Sequence, residues 1–248
     1  MEPRPTLDDR RLIQIDLETL FVLSSEGRIE SENDPPRSPG PRIALFASSA
    51  GLRLALESGI RMREAEDLRA AVREAPDWTD PARAPACLAR LSEAIAVPKV
   101  RETHLIHHLP HGLSASPGSA NLVRNGEPHG EALLARLAQE GVSPALAKAG
   151  FTDAGEFWPP WCAALLESEI AALAFAARLS RRGAEIGIYT LESHRRRGHA
   201  SALTAAWSRH PMLAGRELFY SCALSNSASR AVARHLGLRL IGWSLAIF

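Results

Sequence analysis

The sequence predicts an α+β fold, and two observations lead to that class. From about residue 155 onward, strands and helices follow in the order βββαβαβ, and the first three strands form a direct meander. Residues 1–150 mix helical and strand-like segments and contain no motif that we can assign. With 248 residues, 46% of them hydrophobic, the chain can bury a substantial core. We therefore expect a smaller α+β region over 1–150 and a second domain over 151–248.

The first half begins with an amphipathic pattern. Residues 7–25 carry Leu12, Ile15, Leu20 and Leu23 at near-helical spacing, which predicts a helix. The next stretch, 30–42, is rich in proline, serine and charge, and this composition is typical of a surface loop. The remaining predictions are two strands within 43–58 joined near Ser48–Gly51, helices over 61–74 and 84–96, a loop or linker over 112–129, and a helix over 130–141.

Four of the nine histidines lie within residues 104–111, HLIHHLPH. On a helix, these four side chains would share one face and would suggest a metal site. Pro110 disfavours a helix there, and no cysteine or carboxylate stands at zinc-site spacing. We therefore predict no metal site, and a loop whose histidines His104, His107, His108 and His111 are solvated or hydrogen-bonded.

The second half has a clearer pattern of predicted strands and helices. Ala200, Leu203, Ala206 and Trp207 lie on one helical stripe, and Gly237 is a typical residue to end a later helix. Short turns at 167–169 and 181–183 separate the first three predicted strands. The predicted elements are strands over 161–166, 170–179, 184–190 and 216–225, helices over 198–209 and 226–238, and a closing strand in LRLIGWSLAIF.

Three consecutive arginines, Arg195–Arg197, stand between a predicted strand and the helix that begins at Gly198. A helix N-terminus presents unpaired N–H groups and the positive end of the helix dipole, and both favour an anion. Gly198 and Ala200 remove side-chain bulk where a backbone would approach a phosphate. No Gly-Lys-Ser/Thr follows, and the three-glycine dinucleotide pattern is absent. The pattern therefore predicts a phosphate ligand of another kind.

The hexapeptide Arg195–Ala200 resembles the Arg/Gln-x-x-Gly-x-Gly/Ala motif of the GNAT superfamily of acyl-CoA-dependent N-acetyltransferases. The longer stretches EIGIYTLESHRRRGHASALTAAW and SNSASRAVARHLGLRLIG are similar to two blocks of that family. The resemblance covers roughly residues 155–248 and does not include the N-terminal half. It implies a mixed, mostly antiparallel sheet flanked by helices.

The resemblance also implies where acetyl-CoA, the cosubstrate, would bind. In the family, two neighbouring strands splay apart, the pantetheine arm inserts between them, and the arginine-rich turn holds the pyrophosphate. The binding residues implied here are the backbone groups of Ile188, Tyr189 and Thr190, the loop residues Arg195, Arg196, Arg197, Gly198, His199, Ala200 and Ser201, and Asn226 near the acetyl group.

The implied reaction is direct attack of a primary amine on the acetyl group. The amine must first lose a proton, so a base is needed. Glu185 shares a strand face with Gly187 and Tyr189 by period-two alternation, and it is our candidate base. The alternative is that Glu185 is an ordinary surface carboxylate at a strand end.

The family's usual acid is absent from this sequence. Many members have a tyrosine seven residues after the asparagine, and here that position is Ala233. Tyr189 is our candidate for a catalytic tyrosine, and the side chains of Tyr220, Ser221 and Cys222 are alternatives. The absence of this tyrosine also leaves open the alternative that the chain is a non-catalytic acyl-CoA-binding regulatory protein.

Composition limits the partners and the compartment. The formal net charge is only +1, so any basic site is local, which counts against a nucleic-acid binder acting through its arginines. The three cysteines are far apart, the N-terminus does not resemble a secretory signal, and the apolar run at 170–177 is too short to span a membrane. We therefore expect a cytoplasmic protein without a membrane partner.

The acceptor and the oligomeric state are not predicted. We expect residues 1–150 to help form the acceptor pocket, because the family builds that pocket from elements that precede the meander. Trp158 and Trp161 are either at the border of that pocket or structural anchors of a strand.

Overall fold

The computed structural model describes residues 7–95 and 98–248, and its centre is one nine-stranded sheet. The strands are β1 (Phe21–Leu23), β2 (Ile29–Glu32), β3 (Ile43–Ser48), β4 (Gly51–Leu56), β5 (His104–Leu109), β6 (Asn121–Arg124), β7 (Cys162–Leu166), β8 (Glu169–Leu179), β9 (Gly183–Thr190), β10 (Glu217–Ala223) and β11 (Arg239–Ile247). β1 and β2 form a separate ribbon, and the sheet order is β4-β3-β11-β5-β10-β9-β8-β7-β6. Within that sheet only β9 and β10 are parallel neighbours. The predicted α+β class is confirmed.

Helices cover both faces of this sheet. They are α1 (Asp9–Leu20), α2 (Met62–Arg73), α3 (Leu88–Glu93), α4 (Pro128–Glu140), α5 (Pro144–Lys148), α6 (His199–Trp207) and α7 (Ser227–His235). α1 and α4 bury their apolar residues against one face, and α2, α3, α6 and α7 bury theirs against the other. Among the described residues, no helix combines the length and the apolarity that crossing a bilayer requires.

The element order predicted for the second half is confirmed. β7, β8 and β9 form an antiparallel meander, and α6, β10, α7 and β11 follow in that order. Their ends lie within about three residues of the predicted ones, which is the usual uncertainty of element boundaries.

The loop predicted over residues 104–111 is wrong, because residues 104–109 form β5 near the middle of the sheet. Leu105, Ile106 and Leu109 are buried there, and the histidines between them have partners. The Nδ1 atom of His107 lies 3.2 Å from the Tyr220 carbonyl oxygen, and Nε2 of His108 lies 3.0 Å from a Glu217 carboxylate oxygen. A strand also places alternate side chains on opposite faces, so the four histidines do not share one face. In residues 7–95 and 98–248, no cluster of histidine, cysteine or acidic side chains is arranged to hold a metal ion.

Two further predictions need correction. The stretch 112–129, expected to be a loop or linker, contains the edge strand β6, whose Val123 is buried against the core. The first helix ends at Leu20 instead of near residue 25, because Phe21–Leu23 pair with β2. Both strands are only three or four residues long, which is too short for a periodic pattern to mark them.

Strands from before and after residue 150 alternate in the sheet. β11 lies between β3 and β5, and β5 in turn pairs with β10. The residues on either side of 150 therefore contribute to one continuous sheet.

α1 packs closely on β9 because β9 begins with a glycine. A Cβ atom at Gly183 would lie 2.2 Å from the Thr19 hydroxyl oxygen and 3.1 Å from a methyl carbon of Ile15, both on α1. Thr19 is held in place, since its hydroxyl donates to the Ile15 carbonyl at 2.7 Å and lies 3.1 Å from the Ser180 hydroxyl oxygen. The distance between α1 and the sheet is therefore set by the absence of a side chain at residue 183.

We predict that Gly183→Ala lowers the free energy of unfolding by about 1–3 kcal/mol, because the added methyl group overpacks the α1–β9 interface. Gly59→Ala is the matched control, since a Cβ there meets only the flexible Glu57 side chain at an ordinary 3.7 Å. The control should change stability by no more than about 0.5 kcal/mol. Urea unfolding of both variants measures the difference, and equal stabilities would contradict the packing argument.

Candidate functional site

β9 and β10 separate soon after they begin. Their parallel pairing covers three residue pairs, Gly183–Glu185 against Glu217–Phe219, and does not extend to Thr190 or to Ala223. Each strand is held on its other side, β9 by β8 and β10 by β5. The facing edges of 186–190 and 220–223 therefore border an open cleft, with backbone hydrogen-bonding groups that no strand pairs. The predicted splay is present, and Ile188, Tyr189 and Thr190 lie on its β9 edge.

The arginine loop lies at the open end of this cleft, between β9 and α6. A short 3₁₀ turn, Glu192–His194, follows β9, and Arg196 (φ 62°) and Gly198 (φ 84°) then adopt left-handed conformations that turn the chain into α6. The first α-helical hydrogen bond runs from the Ala202 N–H to the Gly198 carbonyl. The N–H groups of residues 199–201 therefore have no helical acceptor and point toward the loop.

The loop is open and positively charged. A Cβ atom at Gly198 would have no neighbour within 4 Å, so the loop is open at this residue. Arg195, Arg196 and Arg197 are exposed, and the described residues place no carboxylate in ion-pair contact with any of them. The Nε atom of Arg195 donates a hydrogen bond to the Thr190 carbonyl at 3.4 Å, which holds this side chain beside the end of β9. Three exposed guanidinium groups and a helix N-terminus together form a site for a multiply charged anion such as a diphosphate.

The His199 side chain lies under the loop and not in it. It is 3% exposed, neither ring nitrogen has a partner among the described residues, and its ring centroid lies 6.5 Å from that of His194. Burial lowers the pKa of His199, and the charges of His194 and Arg197 lower it further. The imidazole is therefore neutral at pH 7, and only the backbone N–H of His199 can contact an anion in the loop.

Asn226 lies at the far edge of the cleft, where β10 leads into α7. It is the N-cap of α7, and its Oδ1 atom accepts a hydrogen bond from the Ser229 N–H at 3.0 Å. Its side-chain oxygen is therefore used to start the helix, and its exposed amide nitrogen remains available at the cleft.

Tyr220 points from β10 toward α7 and is buried beside Ala233 in the same apolar cluster. Its hydroxyl donates to the Ser229 carbonyl at 3.3 Å, and burial raises the pKa of Tyr220 to about 12. The phenol is therefore protonated at neutral pH. Tyr189 lies on the opposite face of the sheet, where its ring packs 6.0 Å from that of Phe151.

Glu185 lies on the α1 side of β9, at the last residue pair before the strands separate. The residue is half-buried, and its carboxylate lies near the Arg178 guanidinium and the Ser221 hydroxyl. Burial raises the pKa of Glu185, although Arg178 and Ser221 oppose the shift. A carboxylate with a raised pKa is a stronger proton acceptor than an ordinary surface glutamate.

Two charged residues near Glu185 were missed at the sequence level. Asp16 on α1 is fully buried, burial raises its pKa well above the usual value, and the charge of Glu185 raises it further. Arg178 forms an ion pair of 2.7 Å with Glu32 of β2. The signal for Asp16 was its spacing, because it stands four residues after Leu12 on the apolar stripe of the first helix.

The two tryptophans have separate positions. Trp161 is 2% exposed and packs against Phe157 at 5.9 Å between ring centroids, so it anchors the start of the meander. Trp158 is partly exposed and packs against Phe175 at 5.8 Å, on the same face of the sheet as Tyr189.

Comparison with known proteins finds a family match for part of the chain. Residues 137–242 match the family model described as GNAT acetyltransferase, which is less than half of the chain. No curated protein matches the chain significantly.

Several solved structures are similar at low identity. A GNAT-family acetyltransferase from Colwellia psychrerythraea is 11% identical over 99% of this chain and 98% of its own, with a TM-score of 0.42. A GCN5-related N-acetyltransferase-like protein from Streptococcus suis is 16% identical over 84% of this chain and 85% of its own, with a TM-score of 0.43. A GCN5-related N-acetyltransferase from Kribbella flavida is 16% identical over 65% of this chain and 63% of its own, with a TM-score of 0.43. This chain thus spans less than two thirds of that last neighbour.

The family match and the resemblance of residues 155–248 concern the same part of the sequence, and they include the arginine loop and the start of α7. Residues 137–242 are therefore similar to the GNAT acetyltransferase family.

Proposed function

We propose that this protein is an N-acetyltransferase that moves an acetyl group from acetyl-CoA to a primary amine. The observation that carries the proposal is the placement of the arginine loop at the open end of the β9–β10 cleft. An anion site and an extended cleft with free backbone groups meet there, and CoA offers a diphosphate followed by a long amide-containing arm.

The loop residues fit the diphosphate. The N–H groups of His199, Ala200 and Ser201 face it, and the empty space at Gly198 admits it. Exposed Arg195–Arg197 supply the opposite charge. The edge of β9 at Ile188–Thr190 offers N–H and C=O groups to the amides of the pantetheine arm, and Asn226 lies across the cleft from them.

Glu185 is the proposed base. Acetyl-CoA, when bound, supplies an activated thioester carbonyl, and the protein has to provide a neutral amine to attack it. Amines of pKa near 10 are protonated at neutral pH, so the Glu185 carboxylate takes a proton from the ammonium group directly or through water. The position of the half-buried Glu185, at the last residue pair before the strands separate, supports that role.

The proton for the leaving thiolate has two candidate donors. Tyr220 is protonated and reaches the first turn of α7, close to the buried Ala233. Tyr189 lies on the Glu185 face and packs against Phe151. Because Tyr220 lies in the same cluster as Ala233, we favour it over Tyr189, the sequence-level candidate.

The N-terminal region is proposed to form the acceptor side of the site. α1 lies over β9, and β2 supplies Glu32 to the Arg178 ion pair beside Glu185. We propose a small-molecule or peptide amine as the acceptor, in the cytoplasm, with no nucleic acid or membrane as partner. The buried Ala233 in place of a tyrosine supports one second candidate, a non-catalytic acyl-CoA-binding protein.

Binding of acetyl-CoA tests the loop. We predict that Gly198→Asp weakens binding by about tenfold or more, because it places bulk and negative charge where the diphosphate should lie. Gly237→Asp is the matched control, since Gly237 also has a positive φ (64°) with open space around it but follows α7. Calorimetry should show wild-type affinity for the control, and equal affinities for both variants would refute the loop assignment.

Turnover tests the base. We predict that Glu185→Gln lowers kcat by about 10²–10⁴-fold on any primary amine that the wild type acetylates, with acetyl-CoA affinity unchanged. The control Glu169→Gln removes an exposed carboxylate at the start of the neighbouring strand and should retain activity. Full activity of Glu185→Gln would exclude Glu185 as the base. Tight acetyl-CoA binding without turnover on a broad amine panel would favour the non-catalytic alternative.

A further inference from the structure

Asp16 is a buried acid without a hydrogen-bond partner. The residue is 0% exposed in the middle of α1, and neither carboxyl oxygen contacts a donor or acceptor in the part of the chain that the structure describes. An ionised carboxylate in such a position is costly, whereas the neutral acid costs much less. The residue is therefore expected to carry a proton in the folded protein.

Asp16 lies in the interface that also holds Glu185. Its neighbours on α1, Ile15 and Thr19, meet β9 at Gly183. Glu185 lies two residues further along β9 on the same face, a distance of about 7 Å along the strand. The electrostatic effect of Glu185 on Asp16 agrees with this placement.

The charges around this pair do not balance. The groups that act on Glu185 or Asp16 come from five elements: Asp16 on α1, Glu32 on β2, His104 on β5, Arg178 on β8 and Ser221 on β10. Arg178 is the strong cation among them, and Glu32 already pairs with it at 2.7 Å. Asp16 and Glu185 thus have no further full positive charge beside them, so they would carry two unbalanced negative charges if both were ionised. One bound proton removes one of these two charges.

We propose that Asp16 and Glu185 act as a carboxyl pair that holds one proton at neutral pH, with the proton on Asp16 and the negative charge on Glu185. This inference rests on the proposed role of Glu185 as the base. Asp16 is then a positioning residue, contributed by a helix outside the segment 137–242 that matches the family model. It leaves the negative charge of this pair on Glu185, the proposed acceptor of the proton from the ammonium group.

The proton balance of the step is simple. One proton leaves the ammonium nitrogen and binds a Glu185 carboxylate oxygen, the N–H bonding electrons stay on nitrogen as the lone pair, and Asp16 keeps its own proton. At a pH high enough to ionise Asp16, a second negative charge stands beside Glu185. Glu185 then holds a proton more tightly, so its release after each cycle is hindered.

Infrared spectroscopy of the free protein tests the pair without acetyl-CoA or an acceptor. At pH 7, the wild-type-minus-Asp16→Asn difference spectrum should show the C=O band of one protonated carboxyl group. In Glu185→Gln that band should persist but disappear at a lower pH than in wild type, because the neighbouring negative charge is gone. Absence of the band in wild type would overturn the proposal, and so would a midpoint that Glu185→Gln does not change.

Thermal unfolding gives a second readout with its own control. The raised pKa of Asp16 means that its contribution to stability is present at acid pH and is lost as pH rises through the folded-state pKa. Asp16→Asn should therefore raise Tm by about 5 °C at pH 9 and by less at pH 5. Asp34→Asn is the control, for which we expect a change in Tm of the opposite sign. Although burial favours its neutral form, hydrogen bonds from Ser38 and the charge of Arg178 lower the pKa of Asp34, so this variant should lower Tm at pH 9.

These readouts separate the two proposals. If calorimetry detects no acetyl-CoA binding but the protonated carboxyl group is found, the proposed enzyme function fails and the pair remains. If acetyl-CoA binds and Glu185→Gln abolishes turnover, but Asp16→Asn changes neither the infrared spectrum nor the pH dependence of Tm, only the carboxyl pair fails.

Discussion

The short parallel contact between β9 and β10 is the constraint on which the site depends. Parallel strands cannot be joined by a tight turn, so the chain must cross over between them, and here α6 makes the crossover. Because pairing stops after three residue pairs, a cleft opens between the two strands. The crossover places the N-terminus of α6 at the open end of that cleft. Each strand stays paired on its other side, β9 with β8 and β10 with β5, while the two strands diverge.

The parts of this arrangement that sequence could predict are those with local causes. The meander follows from the short turns between its strands, and the loop follows from Gly198 beside three arginines. β5 has no such local signature. It is a strand because β10 and β11, both far away in sequence, pair with its two edges and because Tyr220 and Glu217 provide partners for its histidines. Tertiary contacts of this kind override the polar character of HLIHHL.

The site divides in the same way. The anion loop and the N-cap at Asn226 are local motifs, so their residues could be named from the sequence. The environment of Glu185 is not local, since α1, β2, β5, β8 and β10 all contribute to it. Asp16 occupies an apolar position of an amphipathic helix, but only the packing of that helix on Gly183 shows that it lies near another acid. The residues of the loop and of the N-cap could thus be located from the sequence, whereas the neighbours of Glu185 could not.

The position of β11 between β3 and β5 has a consequence for how the protein is made. A ribosome releases the β3–β4 hairpin and β5 long before residues 239–247, and until then the edges of β3 and β5 that face each other have no neighbour. Until β11 is made, the nascent chain therefore carries unpaired strand edges, and such edges are sites of aggregation and of chaperone capture. Insertion of β11 joins the hairpin to the rest of the sheet, so the sheet forms completely only after residues 239–247 have been synthesised.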